Sequence, residues 1–239
     1  MTVVVPATSA NLGPGFDCLG VALDLTDEVT AEVTGEGVTV EVTGEGAGEV
    51  PTDERHLVVA TMMTTFARLG LAPPPGLRLT CVNRIPHARG LGSSSAAIVA
   101  GILLAQALAD ELVPDGEAAG PGVRTAGTDP CRQALAWAAE LEGHPDNVAP
   151  CLLGGFVIAW TGAAGAEAVR LTPAPDVRPV LYVPDRHGFT AHARAALPEQ
   201  VPHRDAAFNL ARSALLVHAL TQAPELLMAA TEDRLHQPY

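Results

Sequence analysis

Three short stretches of the 239-residue chain gather residue types able to do chemistry. In "PHARGLGSSSAA", residues 86–97, Gly90 and Gly92 precede Ser93, Ser94 and Ser95 at the start of a long apolar run. Glycines let a backbone approach a ligand closely. A helix beginning at the serines offers unpaired N–H groups and the positive end of its dipole, which together suit a phosphate. A serine hydroxyl there can also serve the magnesium that accompanies a nucleotide, because Mg²⁺ favours hard oxygen ligands. The same residues would make an ordinary serine-capped helix after a turn, so this stretch by itself leaves both readings open. In "PATSANLGPGFDCLGVALDL", residues 6–25, Asn11 and Asp17 sit in a Gly/Pro loop. Both residue types also stabilise turns by bonding their own backbone. "EGHPDNVAPCLLGGF", residues 142–156, crowds Glu142, His144, Asp146 and Asn147 ahead of a strand. His144 reads there as a structural residue that satisfies backbone groups in a turn.

Periodicity and breakers define the elements that must carry these stretches. Val3 to Val5 reads as a short strand, followed by a loop through Gly20. Val29 and Val33, then Val38, Val40 and Val42, flank Gly35-Glu36-Gly37 in the pattern of an antiparallel hairpin. Residues 53–69 read as a helix with Asp53 as its N-cap and Gly70 at its end. Leu77, Leu79 and Cys81 alternate as a strand, and Ala96 to Leu108 form a helix apolar on nearly every face, hence buried. A Gly/Pro-rich loop over 113–128 leads to Asp129-Pro130, a cap and first-turn pair for a helix through Leu141. "GGFVIAW" and "VLYVPD" (180–185) look like strands, and two helices separated by Pro224 follow from about Ala206. The domain boundary is expected near 150–180, and no internal repeat is evident.

Composition narrows the chemistry. A net charge of −13 argues against a nucleic-acid surface. All fourteen basic residues are arginines, which removes a lysine Schiff base and the Gly-rich loop ending in Lys-Ser/Thr. Cys18, Cys81, Cys131 and Cys151 are scattered without a CxxC pair, which argues against a zinc knuckle or a disulfide framework and fits a reducing cytosol. His187, His192 and Cys151 show no metal-ligand spacing. No basic leader opens the chain and no run of about 18 apolar residues is evident, so a cytoplasmic protein without a membrane span is expected.

Taken together, in order and position, the three stretches resemble the homoserine kinases of the GHMP small-molecule kinase superfamily, and the resemblance runs through essentially the whole chain. It implies an α+β, two-domain architecture: a ribosomal-S5-domain-2-like ATP-binding domain over 1–155 and a ferredoxin-like domain over 156–239, incomplete here. The implied reaction is ATP-dependent phosphorylation of the side-chain hydroxyl of L-homoserine to O-phospho-L-homoserine, a step toward threonine. Pro86, His87, Ala88, Arg89, Gly90, Leu91, Gly92, Ser93, Ser94 and Ser95 match the loop that holds the ATP phosphates. Ser94 and Glu142 match magnesium ligands, with Glu140 as the alternative glutamate. Asn11, Asp17, Asn147 and Arg194 match contacts to the amino acid, and Asn147, Thr190 and Glu142 form the implied catalytic set. A carboxylate can pair with the substrate ammonium, and an arginine can grip its carboxylate bidentately. Asp146 takes a supporting role, since the family is thought to work without a dedicated base, as a loose phosphoryl-transfer transition state permits.

Two departures qualify the resemblance. His56 stands where relatives often carry an asparagine on the adenine side. Relatives also continue for several tens of residues beyond "EDRLHQPY", with a third glycine-rich motif and an arginine, so a truncated chain with weakened binding and slow turnover is expected. Competing readings are another superfamily kinase acting on a different small alcohol, and an inactive nucleotide- or amino-acid-binding fragment. ATP, Mg²⁺ and L-homoserine are the implied ligands, with no nucleic acid or membrane partner and room for a homodimer.

Overall fold

The computed structural model describes residues 1–112, 129–163, 165–185, 188 and 190–239, with backbone alone at 190–192. The loop read over 113–128 therefore lies outside the described residues.

One long strand organises the sheet. Thr30 of β2 (Leu19–Thr34) pairs both with Thr2 of β1 (Thr2–Ala10) and with Thr80 of β4 (Gly76–Asn83). Val21 likewise pairs with Ser9 of β1 and with Phe156 of β5 (Phe156–Gly162). A strand residue has only two edges, so β1 runs along one side of β2 while β4 and β5 share the other. β3 (Gly37–Gly44) adds parallel to β4, and β6 (Gly165–Leu171) adds antiparallel to β5.

The expected hairpin between Val29–Val33 and Val38–Val42 does not form, because β4 lies between the two strands. Thr34 and Gly37 both register against Gly76, so the chain reverses around that residue. A side chain at Gly76 would meet the Glu36 nitrogen and Thr34 Oγ1 at 2.5 Å, which is why the reversal closes on a glycine. β1 also runs past its expected end at Val5. Pro6 cannot donate to a ladder, and the pairing shifts register between Pro6 and Thr8 rather than stopping.

Four helices cover the sheet: α1 (Leu57–Leu69), α2 (Ser93–Leu112), α3 (Pro130–Glu142) and α4 (Pro145–Leu153). Phe66 and Met62 of α1, Ile102 and Leu104 of α2, and Leu77 and Leu79 of β4 are fully buried in one core. The α2 stretch Ser93–Glu111 is long and apolar enough, by length and composition, to cross a membrane, which the sequence reading did not anticipate. Here its Ala96, Val99, Ile102 and Ala105 face the protein core. Asp53 does not cap α1: its carboxylate binds Arg55, and His56 occupies the N-cap position. Asp129 does cap α3, accepting from the Cys131 N–H at 3.0 Å.

α4 was not read as a helix, since it holds Pro145 and Pro150 within nine residues. Pro145 occupies the first turn, where no N–H is required. Pro150 deprives the Asp146 carbonyl of its usual donor, and that carbonyl packs on Gly20 of β2, where any Cβ would overlap it. The helix thereby lies close against the sheet.

The remaining elements are α5 (Thr190–Ala195), α6 (His203–Thr221), a 3-10 turn at Pro224–Leu226 and α7 (Leu227–Ala230). Leu216 and Ala219 of α6 and Ala230 of α7 bury a second cluster with Leu19 and Phe156. "VLYVPD" is not a strand: no described strand lies beside it, and Val180 and Tyr182 are 93% and 94% exposed. Its alternation had no sheet to satisfy.

Candidate active site

The segment between β4 and α2 is fixed at both ends. Asp27, buried in β2 between the stretches that pair with β4 and β5, accepts the N–H groups of Arg84 and Ile85 at 2.6 and 2.9 Å through Oδ1. Burial raises its pKa despite the lowering effect of those bonds. At the far end Thr8, re-aimed by the register shift in β1, donates its N–H to the Leu91 carbonyl at 3.1 Å. Between these anchors Ala88, Gly90 and Gly92 have φ of 54°, 74° and 68°. A Cβ at Gly92 would overlap Thr8 Oγ1, so glycine is required there both for φ and for space. The chain then enters α2 at Ser93, with its first-turn N–H groups unpaired by the helix itself.

α3 ends beside that helix start. Gly143, at φ 91°, turns the chain from α3 into α4 and leaves Glu142 at the helix end. Glu142 Oε1 accepts from Ser94 Oγ at 2.8 Å and from Ser95 Oγ at 2.9 Å. Glu140 is engaged elsewhere, by Arg68 of α1 at 2.7 Å. The glutamate beside the serines is therefore Glu142.

The first turn of α4 supplies the next wall. His144 Nδ1 and Asp146 Oδ1 lie 2.5 Å apart, with the Asp146 side chain wholly buried. That bond raises the His144 pKa against the opposing effect of burial. Asn147 Oδ1 accepts the Thr8 hydroxyl at 2.9 Å. Loop 11–18 faces it. Asn11 and Asp17 adopt left-handed φ of 57° and 56°, and Asn11 Oδ1 accepts the Asp17 N–H at 2.8 Å. Asn11 thus closes its own turn as well as lining the cavity. Arg194 of α5 forms a bidentate pair with Asp17, Nη1 to Oδ2 at 3.1 Å and Nη2 to Oδ1.

One cavity of about 660 Å³ joins these pieces. The segment His87 to Ser94 lines it together with Glu142, Asn147, Asn11 and Arg194. Pro86 and Ser95 are set back from the wall, and Asp17 reaches it through Arg194. The Thr190 side chain lies outside what is described. Thr8 and Asp27 were missed in the sequence; Pro6 inside an otherwise strand-like run was the available sign that β1 is irregular at the site. His56 and His87 also line the cavity. His56 is 6% exposed with Nδ1 unpartnered among the described residues, and burial, then the nearby His87, lowers its pKa.

The α+β fold, with a glycine-serine loop that opens a buried helix on this cavity, is that of a small-molecule kinase. Residues 56–155 match the family described as GHMP kinases N terminal domain. A homoserine kinase of Streptomyces avermitilis is 51% identical over 237 residues, covering 99% of this chain and 73% of that protein. One from Clavibacter michiganensis is 54% identical over 239 residues, covering 99% and 71%. The crystal structure of homoserine kinase from Cytophaga hutchinsonii superposes with a TM-score of 0.72 at 28% identity, covering 100% of this chain and 73% of that one. The chain belongs to the homoserine kinase family of the GHMP kinases.

Proposed function

We propose that this chain catalyses transfer of the γ-phosphoryl group of ATP to the side-chain hydroxyl of L-homoserine, giving O-phospho-L-homoserine and ADP. The observation that carries the reading is the joint lining of one cavity by Ser94 and Glu142, which we assign to the phosphates and metal, and by Asn11, Asn147 and Arg194, which we assign to the amino acid. The N–H groups of the His87–Ser94 segment and the start of α2 receive the phosphates. Ser94 and Glu142 present a hydroxyl and a carboxylate, a hard-oxygen donor set that suits Mg²⁺. Among the described residues no group of three or more His, Cys, Asp or Glu gathers, so further ligands would come from phosphate and water. Held by Ser94 and Glu142, such an ion would supply charge neutralisation at the transferred group.

Asn147, held by the Thr8 hydroxyl, orients the substrate hydroxyl for in-line attack. Asp17 pairs with the substrate ammonium and Arg194 with its carboxylate. Thr190, at the start of α5, is assigned to the same end of the site. Alignment and charge stabilisation suffice for a loose transition state, so no side chain is assigned as a base. We assign residues 1–155 to the ATP-binding domain and 156–239 to the second domain, with β5 and β6 completing the sheet of the first. The four cysteines are free thiols, which suits a reducing cytoplasm. A homodimer is part of the proposal, to be tested by light scattering.

Coupled ADP release, measured over homoserine, mevalonate, phosphomevalonate and galactose, tests the assignment. Homoserine-dependent release is expected. Turnover of another alcohol without turnover of homoserine would overturn it, and nucleotide binding with no turnover of any would favour the binding-fragment reading.

A further inference from the structure

The two charges assigned to the substrate already satisfy each other. Arg194 grips Asp17 through both terminal nitrogens, and each side chain is 37% exposed. The pair is held from both sides. Asp17 is fixed in a left-handed turn by its N–H bond to Asn11. The Arg194 guanidinium lies 5.2 Å from the centroid of the Phe16 ring, which in turn packs 5.1 Å from the His236 ring. Asp17, through its bond and its charge, and then Asp146, raise the Arg194 pKa, while partial burial opposes them. A ligand that takes the Asp17 oxygen positions or the Arg194 Nη groups used in the pair must open it.

Resting on the reading above, we propose that Asp17 and Arg194 act as a charge-exchange filter that selects zwitterions. A molecule carrying both an ammonium and a carboxylate replaces one ion pair by two. A molecule carrying one charge opens the pair and leaves the other partner, partly withdrawn from water, without a counter-ion. Specificity thus comes from a penalty on half-charged alcohols as well as from contacts to the right one. This differs from two independent anchors, each of which would reward its own charge regardless of the other.

The distinction is measurable by a double-mutant cycle. Titration calorimetry at fixed ADP and magnesium would compare the unsubstituted chain with Asp17→Asn, Arg194→Gln and the double variant. The ligands are L-homoserine, 3-aminopropan-1-ol, which lacks the carboxylate, and 4-hydroxybutanoate, which lacks the ammonium. Each single substitution removes a ligand contact but also removes the pair that must be opened, so single losses understate the contacts. The double variant should therefore lose about threefold to tenfold more homoserine affinity than the product of the single losses, the size of one partly screened ion pair. Arg194→Gln should bind 3-aminopropan-1-ol more tightly than the unsubstituted chain does, and Asp17→Asn should do the same for 4-hydroxybutanoate. A gain of affinity cannot arise from a misfolded variant. Losses that simply multiply, a double variant no worse than a single, or no gain with the half-charged ligands would overturn the filter while leaving the amino-acid site standing. Absence of homoserine binding to the unsubstituted chain would overturn both.

Discussion

Ser94 and Ser95 reach the same oxygen of Glu142, yet they are placed for different work. Ser94 is exposed on the cavity wall, whereas Ser95 is fully buried behind it. Ser94→Ala is expected to raise KM for Mg-ATP about tenfold to a hundredfold, the worth of one hydrogen bond to a charged group, with KM for homoserine little changed. Ser95→Ala should instead lower thermal stability by about 1–3 kcal/mol, since it strips a bond from a carboxylate at the edge of the core, with a smaller effect on KM for Mg-ATP. Steady-state kinetics and melting curves on the two variants would separate the roles. Equal effects on the nucleotide would remove the distinction.

At the level of elements, what could be read in the sequence depended on whether local signals decided the outcome. Asp129-Pro130 announced α3, and the glycines at 90 and 92 announced a loop that could embrace a ligand, because both effects are local. The hairpin failed because nothing near Gly35 records that β4, forty residues on, inserts beside β2. α4 was hidden by Pro150, which sits where the helix packs on Gly20, a close approach that only the fold creates. Thr8 and Asp27 escaped for the same reason: each holds the loop before α2 from a strand far away in sequence.

The turn after α7 holds a charge that the sequence reading did not single out. Asp233 accepts the N–H groups of Leu235, His236 and Gln237 and the Asn209 amide. Burial would raise its pKa, but those bonds outweigh it and hold the value at about 2, against 3.8 for the free group. Its folded pKa is depressed, so its contribution, about 2 kcal/mol, is complete above about pH 4 and is lost as pH falls toward 2. Denaturant unfolding of Asp233→Asn should show a deficit at pH 7 that narrows at pH 3. A deficit independent of pH would contradict the ionised role.

Across the whole molecule, loop 11–18 packs on the second apolar cluster, while the segment before α2 rests on the main core. Leu216 of α6 is 2% exposed against Leu19 and Phe156, and it closes on Gly13 of loop 11–18, where a Cβ would come within 3.1 Å. Ser213 ties the same loop to α6, donating to the Pro14 carbonyl at 2.8 Å. Leu216→Ala is expected to cost about 2–5 kcal/mol of stability and, in the folded fraction, to raise KM for homoserine more than KM for ATP. Equal changes in both constants would show that the loop does not lean on α6.

The central claim, that this cavity moves a phosphoryl group onto the side-chain oxygen of homoserine, is tested most directly by identifying the product. Incubation with Mg-ATP and L-homoserine, followed by phosphorus NMR coupled to proton detection, reports which oxygen carries the phosphate. The account predicts a phosphomonoester coupled to the terminal methylene of homoserine, formed in equal amount to ADP and absent without homoserine. ADP formed with free phosphate alone, phosphate on the carboxylate, or no ADP at all would contradict it.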